Sequence, residues 1–421
     1  MEATVKRVAF GSLAVLLTFG AMADDPQISS VTVRQRWPWS KLVDIDYVLT
    51  ADSTQNVGIA VQAYDGDTPL TLPSTSLTGD LYSVPRGMRR IVWDPTRTAY
   101  TNNRALTKFS VQLMPTNPPT YLVVDMVSGD ITPYDCGTNL MAEATNTLYM
   151  TAKMLLRHIP AGAFALGDSA TPSRSRTVTL TKDYYISVHE VTAHQWGHVM
   201  VPGRDMGVYW NRRAIRGPSY YDIREIPGGD LAKTGSLNYV TSGSAITPTW
   251  PVTSAVGTNS FIGLLRAKTN RIGFDLPTSA QWEYACRAGA TADYYNGTMM
   301  ATNAAGEDAN LDLLAIYTKN RGGDTPILCT KQPNAWGLYD MLGGQKEWCL
   351  DWQNNINDPV SSTFSTTGET DPAGYSTGTG RVMRGGDYLS AASSCRAFNM
   401  LGIPRDQSHY TTGFRVVLTL D

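Results

Sequence analysis

Near the C-terminus, "RGGDYLSAASSCR" (Arg384 to Arg396) holds the residues best placed for thiol or metal chemistry: Cys395 and, five positions earlier, Ser390. A thiolate is a nucleophile and a soft ligand, whereas a serine hydroxyl is hard and stays protonated near neutral pH. The pair therefore offers a soft metal one good ligand, not two. The other cysteines are Cys136, Cys286, Cys329 and Cys349, and no two of the five form a CxxC pair. A zinc knuckle or a thioredoxin-type dithiol is thus unsupported, and the odd count leaves at least one thiol free or paired between chains. His189, His194 and His198 make the one histidine cluster. A helix would put His194 and His198 on one face, as metal ligands require, but the order is HExxxH and the HExxH zinc motif fails by one residue. They read as surface or supporting histidines. No Walker loop or Rossmann fingerprint stands out.

The elements that must position these residues belong to a long chain, 421 residues, enough for two or three domains. Charged residues are only 17%, against the usual quarter or so. With 37 Gly, 23 Pro, 21 Tyr and 10 Trp, the composition is that of a loop-rich, aromatic-rich globular protein. The net charge of −2 and the absence of a long basic run argue against nucleic acid as a partner. Residues 1–23 read as a secretory signal: Lys6 and Arg7, the apolar "VAFGSLAVLLTFG", then "AMA" as a small-x-small cleavage site. Export to the periplasm, the cell surface or the medium is expected. No later stretch is apolar enough for a membrane span.

Residues 24–116 read as a small all-β sandwich of fibronectin or immunoglobulin type. "LVDIDYVL" places Val43, Ile45, Tyr47 and Leu49 on one face at period two. "NVGIAVQAYD", "RRIVWD" and "FSVQLMP" are further strands, spaced by turn residues. Residues 117–153 read as a Pro-rich, polar linker in which "YLVVDMVSGD" could add one strand. Residues 154–421 form one unit with few, short helices. Thr278 and Gln281 spell a capping box in "TSAQWEYACRAG"; "VTAHQWGHVM" and "NSFIGLLRAK" also carry helical spacing.

Five blocks of this unit, in order, resemble the formylglycine-generating enzyme (sulfatase-modifying factor) family: "IPAGAFALGD", "YYISVHEVTAHQW", "FDLPTSAQWEYACRAG", "NAWGLYDMLGGQKEWCLDW", and "RVMRGGDYLSAASSCR" with "GFRVVL". The resemblance implies an irregular α+β, C-type-lectin-like fold. Oxidase members bind copper(I) through two cysteines, which fall here on Ser390 and Cys395, so the serine argues against copper and against oxidase activity. Cys395 then reads as a buried or disulfide-bonded cysteine, and the neighbouring core motifs of that fold make Cys349 its expected partner. The family's structural calcium sites carry over to Asn310 and Asp324 by side chain, with the carbonyls of Leu311 and Pro326, and to Glu347, with the carbonyls of Leu342, Gly343 and Gln345. In the second, Gly344 and Lys346 replace the family's Asn and Trp, and the lysine would compete with a cation.

The last block also resembles the variable region of receptors diversified by retroelements, which share this fold. The frame is held by Arg384, Gly385, Gly386, Ala392, Cys395, Arg396, Gly413, Phe414 and Arg415. The positions expected to vary, Leu389, Ser390, Ala391, Ser393, Ser394, Phe398, Leu401, Gly402, Ile403, Asp406, His409, Tyr410, Thr411 and Thr412, all hold residues that adenine mutagenesis of AAY codons can produce; Met400 and Gln407, in the same segment, do not and would be template-fixed. An ordinary family surface loop fits as well. The expected function is ligand binding at loop 387–412, with Tyr388, Leu389, Ser390, Ser393, Phe398, Asp406, His409 and Tyr410 as contacts and a protein or carbohydrate at the cell surface as partner. The competing reading is an enzyme on the same scaffold, a formylglycine-type oxidase above all.

Overall fold

The structure is a computed structural model that describes residues 25–420 except 37, 54, 101–105, 107, 135–145, 169, 172–173, 226–255, 324, 354–368 and 375–377. The expected signal segment, Cys136 and Asp324 lie outside the described residues. The chain divides into two compact units, one built on the residues up to Thr120, the other on Tyr121–Gly129 and Pro133–Thr419.

The first unit contains β1 (Gln27–Gln35), β2 (Val43–Thr50), β3 (Gly58–Asp65), β4 (Thr68–Leu70), β5 (Leu77–Gly79), β6 (Gly87–Trp93) and β7 (Phe109–Thr116). They form two sheets, of order β1-β2-β6-β5 and β4-β3-β7. The period-two pattern of β2 is realised: Val43, Ile45, Tyr47 and Leu49 are all buried. Their neighbours on the ladder, Ile91 and Trp93 of β6, are buried too, and Trp93 stacks on Phe109 at 5.0 Å.

The second unit begins inside the span expected as a linker. β8 (Tyr121–Asp125) pairs antiparallel with β10 (Lys153–Ile159), Asp125 opposite Lys153 and Tyr121 opposite Arg157. Tyr121, Leu122, Val123 and Val124 are all buried. A strand covered on both faces has no alternation to read, which is why this segment looked weaker than β2. With β9 (Ile131–Tyr134), β13 (Tyr184–Ser187), β14 (Phe274–Asp275) and β20 (Val417–Thr419) it forms a sheet of order β14-β20-β13-β10-β8-β9. Two smaller sheets complete the unit: β11 (Gly162–Gly167), β12 (Ser175–Leu180) and β16 (Glu369–Thr370); and β18-β17-β15-β19, from β15 (Lys346–Gln353), β17 (Gly380–Arg384), β18 (Met400–Ile403) and β19 (Thr412–Gly413).

Among the described residues three helices are eight or nine residues long, α1 (Ala193–Met200), α2 (Phe261–Thr269) and α3 (Ser279–Arg287); two others are single turns of four residues. The Thr278–Gln281 capping box forms at the start of α3, and Thr192 with Gln195 makes a second one at α1. Every residue of α3 is buried, including Glu283, which is ion-paired with Arg287 at 2.8 Å and Arg384 at 2.9 Å. The result is sheet-rich, with few helices and long connections, as the composition implied. Among the described residues no helix is long and apolar enough to cross a membrane.

Cys349 and Cys395 do not form the expected disulfide; both are free, fully buried thiols in one apolar cluster with Trp282, Cys286, Met341 and Val382. Cys395 packs instead against the backbone of Gly386, where an added Cβ would lie 2.8 Å from its Sγ.

Candidate functional site

The C-terminal site is built on the sheet β18-β17-β15-β19. Strand β17 ends at Arg384, and Gly385 and Gly386 follow with φ of +89° and +70°, backbone that only glycine adopts without strain. This double turn sends Asp387 and Tyr388 inward; both are buried. Asp387 organises the loop. Its Oδ1 accepts from the Ser390 hydroxyl at 2.7 Å and from the Leu389 N–H at 2.9 Å, while the Ser390 Oγ accepts the Asp387 N–H at 3.1 Å. Its Oδ2 pairs with the Lys346 ammonium. Burial pushes the Asp387 carboxyl up, but hydrogen bonds from Lys346, Thr411 and Ser390 outweigh it and hold the group below its ordinary value.

At the family's two-thiol position this loop is closed structure. Ser390 is consumed by the Asp387 turn. Cys395 ends a short 3-10 turn (Ala392–Cys395) with no exposed surface, and burial together with the Asp387 charge pushes its thiol up to about 12. A thiol of that kind stays protonated near neutral pH in the metal-free protein, and the thiol is a far weaker nucleophile than the thiolate.

Past the turn the segment opens. Ala391, Ser393 and Leu401 are exposed, and so is the run Asp406–Tyr410. A cleft of about 300 Å³ lies here, lined by Lys346, Ile403, Gln407, Ser408, His409 and Thr412. The rings of His409 and Tyr410 pack at 4.3 Å, and the Arg216 guanidinium lies over Tyr410 at 5.6 Å. Beside them Arg405 lies over Tyr221 at 5.1 Å and Trp352 at 5.3 Å. Of the expected contacts, Ser393, Asp406, His409 and Tyr410 are exposed and Leu389 and Ser390 half-buried. Tyr388 and Phe398 are corrected: each is only 5% exposed, so they support the loop from within. Thr411 is likewise buried, bonded to His409 Nδ1 at 2.8 Å. Lys346, Gln407, Ser408, Arg216 and Arg405 were missed as members of this face. Lys346 had a signal, its replacement of a family tryptophan; the arginines had none.

The calcium expectations meet a crowded interior. Glu347 is fully buried and accepts from Arg415 Nε at 2.6 Å, Arg415 Nη2 at 2.7 Å and Trp282 Nε1 at 2.6 Å. A guanidinium already occupies the cation's place, so Glu347 with the carbonyls of Leu342, Gly343 and Gln345 does not fit calcium. At the other set, Asn310 donates to the Met299 carbonyl at 3.1 Å, and the Leu311 carbonyl already accepts the N–H groups of Leu314 and Ala315. Asp324, the other side-chain ligand expected here, lies outside the described residues.

His194 is half-buried and bonds the Gly207 carbonyl at 3.1 Å through Nε2. His189 is buried at the start of a polar interior with Glu190, whose carboxyl is pushed well above its ordinary value by burial and by the nearby Glu347 and Asp340 charges. Burial lowers His189 from 6.5 to about 4. Between those values the unfolded chain binds a proton that the folded chain refuses, so this histidine removes stability as pH falls from about 6.5 to about 4. Urea melts over that range should show wild type losing ground steadily against His189→Gln. A pH-independent difference would mean that His189 titrates alike in both states.

Gly374 to Gly378 spell G-x-S-x-G, the pattern of a nucleophile elbow, which runs from strand to helix. Here the next element is strand β17, and Ser376 lies outside the described residues.

The family model of the sulfatase-modifying factor enzyme 1-like domain matches residues 141–420. The chain is 26% identical over 291 residues to the chaperone protein LppX of Paenibacillus barcinonensis, covering 62% of this chain and 87% of that one. It is 32% identical over 150 residues to the formylglycine-generating enzyme of Thermomonospora curvata, covering 34% of this chain and 48% of that one; the match thus spans about half of the enzyme's length. Among solved structures, the Treponema denticola variable protein 1 aligns with a TM-score of 0.44 at 24% identity, covering 63% of this chain and 95% of that one.

Proposed function

Because the chain belongs to the sulfatase-modifying factor enzyme 1-like family, we propose that it uses the family scaffold for binding and not for catalysis, as an exported protein that holds a protein or carbohydrate ligand on the exposed part of loop 387–412. One observation carries this reading: the position where an oxidase needs two reactive thiols holds a hydroxyl tied to Asp387 and a buried thiol, while the adjoining surface is open, aromatic and cleft-forming. His409 and Tyr410 supply rigid, amphipathic contact area, and Gln407 and Ser408 supply hydrogen bonding, the mix that serves recognition on other loop-built binding faces. The first unit, with its four- and three-stranded sheets, fits a fibronectin-like sandwich that spaces or docks the binding unit. Retroelement diversification of the loop belongs to the same proposal; an adenine-rich near-copy of the codons for 384–415 beside a reverse-transcriptase gene would establish it.

The protein loaded with copper(I) should leave a Cys-x-Pro-x-Arg peptide unchanged. Mass spectrometry showing conversion of that cysteine to the aldehyde would overturn the binding reading in favour of the oxidase. On arrays of glycans and surface proteins, signals of the wild type should disappear in a variant carrying Gln407→Ala, His409→Ala and Tyr410→Ala; signals that persist would remove the loop from the interface.

A further inference from the structure

The first unit carries a charged groove for which the reading above has no use. On β1 and β2, Arg34 stands opposite Asp44, and on β2 and β6, Asp46 stands opposite Arg90. Successive residues of a strand alternate between faces, so Asp44 and Asp46 share the face opposite to buried Ile45 and Tyr47. Arg36 reaches the same spot from beyond the end of β1. Three guanidiniums thus converge on Asp44, which is only 2% exposed: Arg36 at 2.6 Å, Arg34 at 3.3 Å and Arg90 at 3.8 Å. Arg90 also pairs with Asp46 at 2.5 Å.

Two features separate this cluster from an ordinary surface ion-pair network. Asp44 lies beneath and the guanidiniums outside: the side chains of Arg34, Arg36 and Arg90 are 67%, 38% and 46% exposed, and Asp46, paired with Arg90, is 33% exposed. Three cations face two anions, so one positive charge is left over, and most guanidinium N–H donors are not spent on the carboxylates. Asp44 acts as an internal anchor that holds the arginines in place; burial pushes it up, but its arginine contacts win and keep it ionised. The second feature is Trp39, 91% exposed on the turn that follows Arg36, its backbone N–H bonded to the Arg36 carbonyl at 3.0 Å. A side chain that large and that bare is the informative kind of surface residue. Arg34, Gln35, Arg36, Trp39, Ser40 and Arg90 line an open groove of about 620 Å³ over Asp44.

We propose that this groove binds an acidic polysaccharide, its uronate carboxylates on the Arg34, Arg36 and Arg90 forks and the apolar face of a sugar ring on Trp39. Guanidinium matches a carboxylate through two parallel hydrogen bonds. An indole with one face in water offers apolar area to a ring that is polar only at its rim. A nucleic acid also pairs stacked rings with charge, but its affinity comes from neutralising many phosphates, and a surplus of one positive charge in a chain of net charge −2 suits a polymer of lower charge density.

Affinity electrophoresis of the full chain in gels containing polygalacturonate tests this, with neutral dextran and a single-stranded oligonucleotide as the other polymers. Polygalacturonate should retard the wild type and dextran should not. Trp39→Ala and Arg34→Ala should each weaken the retardation at least fivefold; both sit at the exposed rim and leave Arg36 on Asp44. Tyr410→Ala, in the other unit, should migrate as wild type does, which keeps this site distinct from the C-terminal loop. Raising salt should weaken binding. Absence of retardation by polygalacturonate, equal retardation of wild type and the two rim variants, or retardation by the oligonucleotide at lower polymer concentrations would each overturn the proposal.

Discussion

Arg415→Leu will cost the second unit about 3–5 kcal/mol, the usual penalty for stripping one partner from a buried ion pair. Arg415 is fully buried, and its guanidinium joins segments that are far apart in sequence: Glu347 at 2.6 and 2.7 Å, the Ser187 carbonyl at 3.0 Å and the Tyr339 carbonyl at 3.0 Å. Without it, the Glu347 carboxylate keeps the Trp282 Nε1 donor and faces the Glu190 and Asp340 carboxyls without the cation it was paired with. Burial pushes Asp340 up to about 6 and Glu190 well above its ordinary value even with the arginine present. Arg415→Leu combined with Glu347→Leu should recover a large part of the loss, because a buried pair replaced by apolar groups costs far less than half a pair. Chemical denaturation of the three proteins checks this. A double variant as unstable as the single one would place the cost in lost carbonyl contacts and not in the stranded charge.

Phe414→Ala and Tyr410→Ala, four residues apart, should differ by several kcal/mol. Phe414 is fully buried, edge-on to Phe261 at 5.1 Å and to Trp196 at 5.9 Å, and those two rings stack on each other at 5.2 Å. Truncation leaves a cavity worth roughly 3–5 kcal/mol. Tyr410 is 48% exposed, so its removal should stay within roughly 0.5 kcal/mol, the size of an ordinary surface change. Gly386→Ala belongs with Phe414: at φ +70° its Cβ would meet Cys395 Sγ and the Ser394 carbonyl oxygen, both at 2.8 Å. Ser393→Thr belongs with Tyr410, since Ser393 is exposed. Melting curves in which both groups shift alike would show that the open segment is packed structure, and the binding-face assignment would fall with it.

Several of these features could be read from local sequence because local rules govern them. Period two in Val43–Leu49 fixes which side of β2 is buried whatever it packs against. The Thr278–Gln281 box works within a single turn, so α3 begins where the sequence says it does. The ordered blocks from Ile159 to Leu418 marked the family and with it the substitution of Ser390 for a thiol, a matter of residue type alone. The tertiary structure decided everything that depends on direction. Tyr388 and Phe398 have the chemistry of contact residues, yet the two left-handed glycines turn Asp387 and Tyr388 inward, and no periodicity carried forward from β17 passes such a turn. Cys349 and Cys395 share a core as separate thiols, with Cys395 packed on Gly386. Glu347 has the residue type of a calcium ligand, but Arg415, 68 residues away, reaches it first. Lys346 and Arg216 reach the His409–Tyr410 segment only once β15 and β19 are paired and the loop is packed, and the groove around Asp44 exists only because β1, β2 and β6 set Arg34, Asp44, Asp46 and Arg90 on the same side. A residue's type limits what chemistry it can do; whether it does it depends on what long-range pairing places beside it, and on the large desolvation cost that leaves a buried charge with whichever partner the fold supplies.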